Sequence, residues 1–152
     1  MHEGLLASLA DCGFPFVVTG GWAVRFHGYE QRPVEDLDIV VDRTPAEGTR
    51  VMQCLMRLGF FPTIPLHLSQ VVVLTFLDAS SRRIDVNAVY QPPFPLLLER
   101  ATWREVLGRR VAVISLEDLL EVKRGRARPY DLADVAELMR LHGHGQAPPR
   151  RT

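Results

Sequence analysis

Apolar positions along the chain recur with two spacings, about 3.6 and 2 residues, and the alternation between them predicts helices interleaved with strands. Leu5, Leu6 and Leu9 predict a first helix over residues 3–12, and Gly13 follows where a helix C-terminus takes a residue tolerant of positive φ. Residues 14–19 form a short run rich in Phe and Val that reads as a buried strand, stopped by Gly20 and Gly21. Helical spacing resumes over 22–28. After a polar loop containing Pro33, residues 36–41 alternate, with Leu37, Ile39 and Val41 on one face of a second strand.

Thr44 and Pro45 open a helix in which Val51, Leu55 and Leu58 form an apolar stripe ending at Gly59. Residues 60–68, with Pro62 and Pro65, read as an irregular connection. The β-branched run 71–77, the turn-like 78–81 and the alternating 82–89 together predict an antiparallel hairpin. Three prolines, Pro92, Pro93 and Pro95, precede a predicted helix over 96–104, and residues 110–114 suit a short strand. Ser115 with Asp118 caps a helix to about Arg124. Pro129 opens the last one, in which Leu132, Val135, Leu138 and Leu141 repeat at helical spacing.

These elements fit one domain over residues 1–142, with a Gly/Pro-rich flexible tail over 143–152. Composition narrows the class only by exclusion. Lys plus Arg equals Asp plus Glu at 18 each, so no global field draws the chain to nucleic acid or an anionic membrane. No apolar run approaches the ~18 residues of a membrane span, and the N-terminus lacks the layout of a secretory leader. A cytoplasmic protein without a membrane partner is expected. Cys12 and Cys54, far apart and without a CxxC partner, argue against zinc and read as two buried thiols. His142 and His144 belong to the frayed end rather than to a metal site.

Chemistry concentrates at three carboxylates. Strand parity puts Asp36 and Asp38 on one face, ~6.6 Å apart along the strand, and leaves Asp85 on a polar face with Arg83 and Asn87, opposite Ile84 and Val86. Carboxylates so placed suit Mg²⁺, a hard cation that combines protein oxygens with substrate phosphates. For this the 82–89 strand must lie beside the 36–41 strand. Gly20 and Gly21, between a strand and a helix, leave backbone N–H groups open to phosphate. Neither a P-loop nor a complete GxGxxG surrounds them, and their spacing does not suit a Rossmann dehydrogenase.

The Gly20-Gly21-Trp22-Ala23-Val24 segment, the Asp36-Leu37-Asp38 triplet and Asp85 resemble the GG, DxD and third-carboxylate motifs of the polymerase-β-like nucleotidyltransferase superfamily. The segment 113–120 and the stretch from Lys123 to Asp134 resemble the C-terminal helices of its minimal bacterial members. Among these are abortive-infection-type toxins and aminoglycoside- or lincosamide-modifying enzymes. The resemblance implies an α+β fold with a mixed sheet, helices packed on it and a short C-terminal helical part. It makes Gly20, Gly21 and Lys123 nucleotide-binding, Asp36 and Asp38 metal ligands, and Asp85 either a third ligand or the base. Val34 stands where many minimal members carry Thr.

The implied activity is Mg²⁺-dependent transfer of NMP from an NTP to an acceptor hydroxyl, with two ions assisting in-line displacement of pyrophosphate. The local basic run Lys123, Arg124, Arg126 and Arg128 suggests RNA or a tRNA end as acceptor in a toxin–antitoxin setting, with an antitoxin protein as partner. A small antibiotic acceptor is the alternative, and a non-catalytic antitoxin or binding module is another. Asp131 and Asp134 are expected to stabilise the last helix through its dipole. Trp22 is expected in the core, and Arg25 and His27 are open between structural and substrate-positioning roles.

Overall fold

The computed structural model describes residues 3–143; of the tail expected over 143–152, Gly143 ends the last helix and the rest lies outside the described residues. Seven strands form one mixed sheet. Its centre is built by β1 (Phe16–Thr19), β2 (Leu37–Val41) and β5 (Arg83–Asn87), with β2 antiparallel to β1 and parallel to β5. One side continues through β4 (Val73–Leu77) to a short β3 (Phe61–Pro62); the other through β7 (Arg109–Val113) to β6 (Thr102–Val106). The mixed α+β architecture implied by the sequence is therefore present.

Alternation decides which residues build the core. Leu37 and Ile39 of β2, Ile84 and Val86 of β5, and Leu74 and Phe76 of β4 are all at most 1% exposed. Burying each such side chain contributes about 1.5–3 kcal/mol. α1 (Glu3–Asp11) packs on β7, α2 (Gly20–Phe26) on β1 and β2, and α3 (Pro45–Arg57) adds Val51, Cys54 and Leu55 to the core. Thr44 caps α3 by accepting from the Glu47 N–H, with Pro45 in its first turn. α4 (Phe94–Arg100) leads into the β6–β7 hairpin, and α5 (Leu116–Arg126) packs against α6 (Pro129–Gly143).

Three sequence expectations are corrected. The helix expected to run to Arg104 ends at Arg100, and β6 begins at Thr102 as the edge of the sheet. Exposed edge strands carry charged residues, and the charged pair Arg104 and Glu105 masked the alternation. Residues 60–68 are not wholly irregular, since Phe61 and Pro62 pair with Leu77 and Phe76. Cys12 and Cys54 are not thiols: the residue after α1 and the last turn of α3 bring their Cα atoms to 6.0 Å, and a disulfide joins them across 42 positions of sequence.

Candidate active site

A row of four side chains crosses the sheet at the C-terminal end of β1. Thr19 on β1 pairs with Asp38 on β2, Asp38 with Asp85 on β5, and Asp85 with Thr75 on β4. Register partners share a face, so the two carboxylates project together. The strand adjacency on which a metal reading depends is thus met. Asp36 stands one residue before β2, at a bend, with its side chain 44% exposed at the mouth of the same cleft.

The Asp38 carboxyl is pushed up to about 6, by burial first, then by the charges of Asp85 and Asp36. Arg83 offsets part of this charge. Its Nε lies 3.0 Å from Asp85 Oδ1 and 3.8 Å from Asp36 Oδ2, and Thr75 Oγ1 donates to Asp85 Oδ1 at 2.7 Å. Among the described residues no ready-made cage of three or more His, Cys, Asp or Glu side chains is formed. The donor set nevertheless fits a hard divalent cation, because three carboxylates face one cleft and, after burial, the charges of Asp85 and Asp36 are what raise the Asp38 carboxyl.

Gly20 and Gly21 are glycines for different reasons. Gly20 has φ +67°, and a Cβ there would run into the Asp38 carboxylate. A Cβ on Gly21 would meet Arg32 Nη1 at 2.7 Å and Val34 Cγ2 at 3.2 Å. Bare backbone is therefore what lets the turn sit directly against the acidic row. Thr19 makes no side-chain cap to α2; its hydroxyl is instead 2.8 Å from the Tyr90 hydroxyl.

Across the cleft lies a buried ion network. Lys123 Nζ is 3.0 Å from Asp131 Oδ1 and 3.0 Å from Asp134 Oδ2; Arg32 reaches Asp134 through Nε and Nη2 at 3.0 and 2.8 Å. Arg128 Nε donates to Asp131 at 2.6 Å. Burial would raise both carboxyls, but the hydrogen bonds from Arg128 and Lys123 to Asp131, and from Arg32 and Lys123 to Asp134, hold them below the usual range. Three cations against two carboxylates leave one positive charge in this network, whose Lys123, Arg32 and Arg128 line the same cleft of about 480 Å³ as Gly20 and Gly21.

The structure thus gathers all six sequence-identified residues, Gly20, Gly21, Asp36, Asp38, Asp85 and Lys123, around one cleft. Asp131 and Asp134 do more than favour a helix dipole, since they anchor Lys123 and tie α6 to the loop before β2. His27 is buried away from the cleft and donates from Nε2 to the Ile114 carbonyl at 2.7 Å. Arg25 stacks over Trp22, itself buried. Sequence reasoning missed Arg32, Thr75 and Tyr90. Thr75 was readable once the hairpin register was fixed; Arg32 and Tyr90 come from loops that carry no periodic signal.

The sequence profile of the family described as Aminoglycoside-2''-adenylyltransferase matches residues 3–91. Among solved structures, the lincosamide antibiotic adenylyltransferase LnuA, lincomycin-bound, is 18% identical with a TM-score of 0.66, covering 89% of this chain and 92% of its own. ANT(2")-Ia in complex with adenylyl-2"-tobramycin is 14% identical, TM-score 0.64, covering 93% and 88%. An antigenic nucleotidyltransferase-like protein from Paracoccidioides brasiliensis is 17% identical, TM-score 0.58, covering 91% and 73%. At such identities these likenesses show the fold. No curated protein sequence matches the chain.

Proposed function

As the chain belongs to the aminoglycoside-2''-adenylyltransferase family and is a nucleotidyltransferase, we propose that it moves a nucleoside monophosphate from an NTP to a hydroxyl of a small acceptor molecule. The observation that carries this reading is the pairing of Asp38 with Asp85 directly under the Gly20 turn. Asp36, Asp38 and Asp85 would hold magnesium, two ions with NTP bound, which supplies charge neutralisation at the reacting phosphates. Gly20 and Gly21 present backbone to the triphosphate. Lys123, fixed by two carboxylates, offers its remaining N–H to it, and Arg32 and Arg128 add positive charge from the same wall.

In the transfer step the acceptor oxygen bonds to the α-phosphorus while the bond to the bridging oxygen breaks, and pyrophosphate leaves with that electron pair. The hydroxyl proton passes to the Asp85 carboxylate. Arg83 and Thr75 orient that carboxylate by hydrogen bonds. A small acceptor is favoured over RNA because the basic run is largely engaged internally: Lys123 and Arg128 bind carboxylates and Arg124 packs on Met139. No helix among the described residues is long and apolar enough to cross a membrane. A cytoplasmic setting, where NTP is available, belongs to this proposal.

The experiment is incubation of purified protein with each α-labelled NTP, Mg²⁺ and either a panel of small hydroxyl compounds or total RNA. Label on a small molecule is the expected result. Label on RNA alone would replace this acceptor with tRNA or another RNA and reopen the toxin–antitoxin setting. No label anywhere, with identical NTP titrations for wild type and Asp38→Asn, would favour a binding module acting on a partner protein.

A further inference from the structure

A second cleft of about 510 Å³ adjoins the reaction cleft and shares Val73, Asn87 and Arg126 with it. We propose that this second cleft is the acceptor subsite and that it takes an uncharged, hydroxyl-bearing molecule with an apolar body. The proposal rests on the transferase reading above and adds to it the chemistry of the substrate.

Location comes first. Asn87 lies two residues beyond Asp85 on the same face of β5, and Val73 pairs with Asn87 on β4, so a molecule lying on Val73 and Asn87 reaches toward the acidic row. The volume falls within the ~300–1,000 Å³ of small-ligand sites. Arg126 stands at the junction of the two clefts, its guanidinium 5.9 Å from the centre of the Tyr90 ring. Tyr90 is in turn tied to Thr19, the neighbour of Asp38 in the row, so the junction is built from residues already fixed to the reaction centre.

The lining then selects the occupant. Val72, Val73 and Val89 are 58%, 42% and 41% exposed, unusually open for valines clustered in one concavity, and Val122 and the Tyr90 ring extend the apolar wall. Charge is sparse: Glu121 and Arg126 are the two charged residues of the lining. A polycationic amine would find one carboxylate there and one guanidinium opposing it. A polyanion such as RNA would find one cation, since the other basic residues of α5 and its loop are engaged elsewhere. Asn87 is 7% exposed and donates one Nδ2 hydrogen to the Ile39 carbonyl at 3.0 Å, so it is a fixed part of the floor. An apolar body covering the valines and a hydroxyl turned toward Asp85 satisfy both features.

The test uses the full chain with valine methyl and backbone amide NMR, titrated with methyl, butyl and hexyl β-glucosides, with tobramycin, and with a short RNA. Expected is a shift of the Val72, Val73 and Val89 methyls by the glucosides, with affinity rising about two- to fourfold per added CH₂. Val89→Asp, an exposed position checked for folding by circular dichroism, should flatten that dependence, and Val72→Asp should do the same independently. Affinity unchanged from methyl to hexyl, or tobramycin or RNA shifting these methyls at lower concentration than hexyl glucoside, would overturn the proposal. Each of the four NTPs with Mg²⁺ is titrated into the same samples. An NTP response at Gly20 and Gly21 beside silent glucosides removes the subsite alone, whereas no response to any of the four removes the transferase reading and the acceptor role with it.

Discussion

Asp38 on β2 and Asp85 on β5 are register partners in parallel strands, with Thr19 and Thr75 completing the row on either side. Two carboxylates on adjacent strands and one face repel each other, and this repulsion, added to burial, lifts the Asp38 carboxyl to about 6. The arrangement costs folding energy when no cation is present. On the proposed reading, it is the same arrangement that would give a divalent cation its binding energy.

Asp38→Asn should therefore stabilise the metal-free protein while abolishing transfer. A folded-state carboxyl raised from 3.8 to about 6 contributes stability that is present below about pH 4 and lost as pH rises through about 6. At pH 7.5 in EDTA the amide variant should gain about 1–3 kcal/mol, read as a higher urea midpoint. Turnover with Mg²⁺ should fall at least about 100-fold. A lower midpoint in EDTA would mean that Asp38 is already neutralised by the protein itself.

Gly20→Ala tests why the turn has no side chain. The left-handed backbone costs a non-glycine residue about 1–2 kcal/mol, and the added Cβ must also displace the Asp38 carboxylate. Activity should drop at least about tenfold with KM for NTP raised, while the fold survives. Gly4→Ala, where a Cβ meets nothing within 4 Å, is the control and should leave both unchanged.

The buried network makes the opposite pH prediction. Asp131 and Asp134 have folded-state carboxyls held below 3.8, so their contribution is present above about pH 4 and lost as pH falls through their lowered values. Lys123→Met leaves both carboxylates without their shared partner and should cost about 3–5 kcal/mol. The loss at neutral pH should shrink on acidification, when the orphaned carboxyls take up protons. A pH-independent loss would instead indicate packing around the lysine stem.

Much of this site is legible in the sequence because strand parity is a local property. Asp36, Asp38 and Asp85 declare their face from the alternation of Leu37, Ile39, Ile84 and Val86 around them, and the glycine pair marks where the first strand stops. Their convergence is not local. β2 and β5 are separated by α3 and two strands, β3 and β4, and no pattern within either states that they pair. The same limit hides Lys123's partners Asp131 and Asp134, which come from the next helix, and Arg32, which reaches Asp134 from a distant loop. β6 was obscured differently: it joins β7 through Leu107 and Gly108, both at positive φ, a turn that the sequence does not announce with Asn or Asp.

The Cys12–Cys54 bridge escaped for the reason that two cysteines 42 positions apart define no spacing motif, and only the tertiary fold brings the residue after α1 to α3. Cys54 is 1% exposed and sits among the residues of the core cluster, so its state bears on the whole fold rather than on a loop. Closing a loop of this length removes chain entropy from the unfolded state worth about 2–4 kcal/mol. Dithiothreitol should therefore lower the thermal midpoint of the wild type and leave that of Cys12→Ser unchanged. Thiol titration of protein from a reducing cytoplasm bears on the cellular setting, since disulfides are rare there. Two free thiols per chain, with a midpoint insensitive to reductant, would show that the fold stands without the bridge; fewer than one thiol would place this protein among those that fold under oxidising conditions.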